Sequence, residues 1–153
     1  MRRLVPFVLL PLILLALHRS ASAHCEIPCG IYGDEARFSA IAENLKTIEK
    51  SMNQIVLLSA DAGKNMNQLV RWVNNKESHA DQIREIVAQY FLAQRIKAPA
   101  NGDPAARKAY TEKLALLHQM IVSAMKCKQT TDTAHVKKSR ELLRSFEALY
   151  MKN

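Results

Sequence analysis

The densest chemistry in the sequence lies in the run His24-Cys25-Glu26-Ile27-Pro28-Cys29-Gly30-Ile31-Tyr32. Suppose that the chain is cut immediately before His24. The freed amine of His24 and the amide nitrogen of Cys25 are then separated by two carbons, and together they close a five-membered chelate ring on a metal. The Cys25 amide and its own thiolate close a second ring. The Cys29 thiolate returns through a turn at Pro28 to the fourth corner, and the His24 imidazole reaches an axial position. The set is a square plane of two nitrogens and two sulfurs with an optional fifth ligand. Tetragonal geometry selects Ni(II) or Cu(II), whereas zinc takes a tetrahedron. Thiolates and a deprotonated amide donate electron density, which stabilises a higher oxidation state and suits one-electron redox work. Tyr32 follows closely enough to set a phenol beside the axial face, where it can order water or hinder larger anions.

The cut that this chemistry needs is written upstream. Arg2 and Arg3 give a short positive start, Leu4 to Leu17 is almost wholly apolar, and Ala21-Ser22-Ala23 is a small-residue stretch. These three features describe a secretory signal peptide over residues 1–23, cleaved after Ala23. The apolar run, about 14 residues, falls short of the roughly 20 that cross a bilayer as a helix. An uncleaved membrane anchor is the bland alternative. Export, to a periplasmic or extracellular space, is therefore expected, with no stable membrane association after cleavage. The alternative is a cytoplasmic protein whose leader is a propeptide removed by a dedicated protease. Export carries a chemical difficulty, because Cys25 and Cys29 can form a disulfide in an oxidising compartment before metal arrives.

The fixed positions His24, Cys25, Pro28, Cys29, Gly30 and Tyr32 resemble the nickel-hook His-Cys-x-x-Pro-Cys-Gly-x-Tyr of nickel superoxide dismutases. The resemblance implies a four-helix bundle that assembles as a homohexamer, with one nickel ion per subunit. It implies disproportionation of superoxide to oxygen and hydrogen peroxide through Ni(II) and Ni(III). It further implies that His24 supplies amine and imidazole, Cys25 supplies amide and thiolate, and Cys29 supplies thiolate. A catalytic gating role for Tyr32 and a cis bond before Pro28 belong to the same implication. The sequence departs from the family pattern in several places. Glu26 stands where aspartate is common, and Gly33-Asp34 replaces a more usual Asp-Pro. The family orients the axial imidazole with a glutamate on the first helix and an arginine on the second. Those positions fall here at Ser39 or Ile41, and near His79, none of which matches.

A hook of nine residues has no core of its own, so the remainder must hold it. Outside the leader the apolar residues recur at three and four, the period of an amphipathic helix. Phe38, Ile41, Leu45, Ile48, Met52, Ile55 and Val56 form one stripe, and Met66, Leu69, Val73, Ile83, Val87, Tyr90 and Phe91 a second. Tyr110, Leu114, Leu117, Ile121 and Met125 form a third, and Val136, Leu142, Leu143, Phe146, Leu149 and Tyr150 a fourth. No segment alternates with period two. Asp34, Asp103 before Pro104, and Thr131 or Asp132 are candidate caps. The expectation is an all-α, four-helix up-down bundle, with helices at roughly 34–60, 64–97, 104–127 and 132–151. The chain therefore divides into a leader, 1–23, and one domain, 24–153, composed of the hook, 24–32, and the bundle, 34–151.

Other chemistries find little support. A leader carrying Arg2, Arg3 and Arg19 takes three of the 22 basic residues and none of the 14 acidic ones, which leaves a formal charge of +5. The clusters Lys126-Cys127-Lys128 and Lys137-Lys138-Ser139-Arg140 read as solvated helix ends, because few aromatics lie among them; no nucleic-acid partner is expected. There is no Gly-rich phosphate loop, no Ser-His-Asp arrangement and no H-E-x-x-H. A plain disulfide between Cys25 and Cys29 leaves His24, Pro28, Gly30 and Tyr32 without a role. An exported nickel- or copper-binding helical protein without turnover shares the ligands and remains the alternative function. Cys127 reads as a free, partly buried thiol, His118 and His135 as ordinary core or surface histidines, and Met120 and Met125 as core.

Overall fold

The computed structural model describes residues 33–100 and 103–152. Among them every long segment is helical: α1 spans Asp34–Ser59, α2 Ala62–Glu85, α3 Pro104–Gln129 and α4 Ala134–Tyr150. A π-helical segment, Ile86–Arg95, continues α2 without a break. Helix α1 packs on α2 and α4, and α3 packs on α2 and α4, which closes a ring of four helices. Bonded pairs fix the antiparallel register. Asp34 meets Tyr90, Asn44 meets His79 and Ser51 meets Asn75 between α1 and the α2 arm of the ring. Glu49 meets Arg140, and Asp34 meets Tyr150, between α1 and α4. The all-α up-down bundle expected from the apolar period is therefore the fold.

The stripes are buried where the four helices run side by side. Phe38, Ile41, Leu45, Ile48 and Met52 of α1 join Ile83, Val87 and Phe91, Leu117 and Met120, and Val136, Leu142 and Phe146. One end of this core is aromatic. Phe91 lies 5.1 Å from Phe38 and 4.9 Å from Phe146 between ring centroids, and Tyr150 lies 5.4 Å from Phe146. Tilted and edge-on pairs at these distances suit the ring quadrupoles. The stripes fail beyond Met52. No described residue between Met52 and Lys76 is buried, and Val56, Leu57, Met66, Val70 and Val73 are exposed. The α1–α2 hairpin projects past the end of α3; on α2 the projection runs from Ala62 to the level of Lys76, about four turns. Lys76 marks that level: its ammonium donates to the carbonyls of Cys127 (2.9 Å) and Lys128, the final turn of α3.

Several local expectations change. Asp34 does not cap α1, because the N-cap is Gly33, which offers no side chain. Asp103 does cap α3, accepting from the Ala105 amide at 3.0 Å. Thr133 is the N-cap residue of α4, yet the Asp132 carboxylate takes the Ala134 amide at 2.9 Å. Met120 is core, but Met125 is exposed. Cys127 is a free thiol buried completely rather than partly, and burial raises its pKa. The basic clusters are partly paired, with Lys128 on Asp81 at 2.7 Å and Arg140 on Glu49 at 2.7 Å. No helix among the described residues is long and apolar enough to cross a membrane.

Candidate functional site

The candidate ligands His24, Cys25 and Cys29, together with Tyr32, lie outside the described residues. Among the described residues no group of three or more His, Cys, Asp and Glu side chains could hold a metal ion. The candidate donors would fit nickel by their chemistry: with the chain cut before His24, two thiolates, an amide, an amine and an imidazole would favour a tetragonal, redox-active ion. The described structure begins where the hook ends, at the root of α1.

That root is held by other helices. Asp34 is the first residue of α1 and stands two positions after Tyr32. Its Oδ1 accepts from the Tyr90 hydroxyl at 2.5 Å, and its Oδ2 accepts from the Tyr150 hydroxyl at 2.9 Å. Arg95 Nε lies 3.1 Å from Asp34 Oδ1, and the same guanidinium donates to the Tyr90 oxygen at 2.8 Å. Burial opposes the Asp34 charge, but the two phenols and the Arg95 cation outweigh it and hold the carboxyl below its ordinary value. The phenols shift the other way. Burial, then the bond to Asp34, pushes Tyr150 up to about 12 and raises Tyr90 as well.

The π winding makes this arrangement possible. Residues five apart stack on one face when the hydrogen bonds run from i to i+5, whereas in an α-helix they diverge. The Ile96 amide accordingly bonds to the Phe91 carbonyl at 2.9 Å, and Arg95 sits over Tyr90, its guanidinium 5.0 Å from the ring centroid. Arg37, from the first turn of α1, lies 5.2 Å over the same ring. Beside the cluster opens a cavity of about 280 Å³ that includes Arg95, Lys97, Tyr110, Lys113 and Tyr150 in its wall. Positive charge is thus gathered at the pole where the chain leaves α1 toward the hook.

The positions at which the resemblance puts a glutamate and an arginine behave differently. Ile41 is buried in the core, and Ser39 is exposed on α1. His79 Nδ1 stands 2.6 Å from Asn44 Oδ1, a pairing that joins α1 to α2 and that helix periodicity does not reveal. The Asp34 cluster is likewise hidden in the sequence. Asp34 reads as a cap, Tyr90 and Tyr150 read as core members of their stripes, and a period of 3.6 hides the i to i+5 relation of Tyr90 and Arg95.

Neither a curated protein nor a solved structure matches the chain. A family model does: that of nickel-containing superoxide dismutase, over residues 19–153. This match takes in the hook and the whole described bundle, and the bundle is the helical architecture that the hook resemblance implies. The chain therefore belongs to the nickel-containing superoxide dismutases, nickel-dependent oxidoreductases that act on superoxide with one nickel ion per subunit.

Proposed function

We propose that the mature chain begins at His24 and holds its nickel with the hook. His24 would give its terminal amine and its imidazole, Cys25 its amide and thiolate, and Cys29 its thiolate. Nickel in this donor set supplies one-electron exchange between its divalent and trivalent states. The chain does the rest. The thiolates and the amide would shift the ion's potential into a usable range, and the Tyr32 phenol would order the anion and water beside the metal. The observation that carries the reading is the run His24 to Tyr32, complete at every fixed position and enclosed by the family match over residues 19–153. Two superoxide anions and two protons yield one oxygen and one hydrogen peroxide, so the site must admit protons as well as anions.

The processing and assembly follow from the same reading. Residues 1–23 are removed by a leader-processing protease, because the amine is a ligand only when free. The leader's composition favours export, to a periplasmic or extracellular location. The enzyme is a homo-oligomer, a hexamer by family resemblance. The exposed apolar residues of the α1–α2 projection support association, since patches of this kind mark contact surfaces.

Metal analysis of mature protein with its native N-terminus, joined to a superoxide decay assay, tests the ligand set. About one nickel per chain with fast decay is expected. Cys25→Ser and Cys29→Ser should each remove the decay activity and the thiolate-to-nickel absorption bands. A serine variant that keeps both would exclude that sulfur as a ligand.

A further inference from the structure

We propose that Asp34, Tyr90, Arg95 and Tyr150 form a clamp that positions the metal hook, acting through the root of α1 and not on the reacting atoms. The inference rests on the reading that residues 24–32 hold the nickel.

The first turn of a helix is the part that local chemistry secures least. Its first amides lack intrahelical partners, and the Gly33 N-cap has no side chain to serve them. A hook attached to such a turn would swing with it. A ligand set for a metal has to be held to within about 0.5 Å of its working geometry. Some other element must therefore fix the root of α1.

The Asp34 carboxylate is placed to do this. It makes no cap bond. Both of its oxygens point across the bundle end, one to the π segment and one to α4. The donors they meet are rigid. Tyr90 is buried and packs edge-on against Phe91 at 5.2 Å. Tyr150 packs against Phe38 at 5.8 Å and Phe146 at 5.4 Å. Arg95 closes the set by binding Asp34 and the Tyr90 oxygen together. One carboxylate two residues after Tyr32 is thereby tied to the aromatic core through three side chains on two other elements.

Energy alone does not account for the cluster. A partly buried ion pair gains little over an apolar packing of the same volume, because desolvation offsets the attraction. Fixed geometry is what such a pair adds. The π winding points the same way, since a plain α-helix would carry Arg95 away from Tyr90.

The clamp predicts a separation between stability and the metal site. The comparison uses mature full-length protein carrying Asp34→Ala, Tyr150→Phe or Glu49→Gln. The last loses an ion pair between the same two helices, Glu49 with Arg140, away from the root. Nickel affinity is read by chelator competition, the site by its thiolate-to-nickel bands, and the root by hydrogen exchange at residues 33–37 of the metal-free protein. Asp34→Ala should weaken nickel binding about tenfold or more, the usual cost of losing a group that orients a ligand. It should also alter the bands and speed exchange at 33–37. Tyr150→Phe keeps the ring and should move all three readouts in the same direction by less, and it decides the matter should Asp34→Ala not fold. Glu49→Gln should leave all three as in the parent. Variants at Asp34 and Tyr150 that lower the melting temperature while leaving affinity, bands and exchange unchanged would overturn the clamp. So would a Glu49→Gln effect of equal size. A parent that binds no nickel would instead reject the ligand reading, and the exchange comparison would still decide whether the root is clamped.

Discussion

Three carboxylates of the bundle share one electrostatic situation with different donors. Asp34 faces two phenols and Arg95, Glu49 faces Arg140, and Asp81 faces Lys128 and Arg84. Each is held below its ordinary value, so the unfolded chain binds more protons than the folded one in acid. The stability they contribute is present above their unfolded values, near 4, and is lost as pH falls through the lower folded values. Tyr90 and Tyr150 act at the other extreme. Their raised values favour the neutral phenol in the fold, so that contribution is complete below about pH 10 and lost above it. Thermal denaturation followed against pH should therefore fall off on both sides, below about pH 4 and above about pH 10. In the alkaline spectral titration one tyrosine should ionise at about 12, and Tyr150→Phe should remove it. A Tyr150 that titrates with the exposed phenols would mean that its bond to Asp34 is not made in solution.

At the scale of elements, Lys76 ties the α1–α2 pair to the end of α3. It is only 4% exposed, and its ammonium serves the carbonyls of Cys127 and Lys128 and the carboxylate of Glu77. Lys76→Met keeps much of the packing but leaves those carbonyls without their donor, which should cost about 2 kcal/mol and lower the melting temperature by several degrees. An unchanged melting temperature would show that water replaces the ammonium at no cost. A lysine with this role is invisible in sequence, because helix periodicity assigns it to a polar face. The four helices themselves were legible, since their cores depend on the three-and-four spacing of residues such as Ile41, Leu45 and Ile48. The limits of that rule are equally physical. Val56, Met66 and Val73 keep the spacing, yet they lie on the projection past α3 and are exposed there. Tyr90 keeps the spacing, but Arg95 lies five residues after it and meets it only because the backbone there is π-helical, so their joint hold on Asp34 could not be read. The candidate ligands His24, Cys25 and Cys29, which lie outside the described residues, could be named for the opposite reason: a chelate built from adjacent residues is a property of the covalent chain, not of its packing.

For the whole molecule, the described bundle presents two distinctive surfaces, the apolar α1–α2 projection and the basic pole at the root of α1. Val56 and Leu57 are 60% and 65% exposed on helices with no core beneath them. Sedimentation of the mature nickel-loaded protein should give an oligomer, and replacing Val56, Leu57 and Val70 by polar residues should dissociate it; a fully active monomer would remove assembly from the account. The basic pole, with Arg95, Lys97 and Lys113, should draw anions toward the root of α1, and that attraction should weaken as salt screens it. Everything on this scale depends on where the chain starts. The most direct measurement compares two preparations of the nickel-supplied enzyme, one beginning at His24 and one with a single extra residue before it, in a superoxide decay assay with nickel counted per chain. The chain that begins at His24 should hold about one nickel and dismutate rapidly, while the extended chain, its His24 nitrogen acylated, should be inactive. Equal activity in the two would contradict a metal site built on the amine of His24.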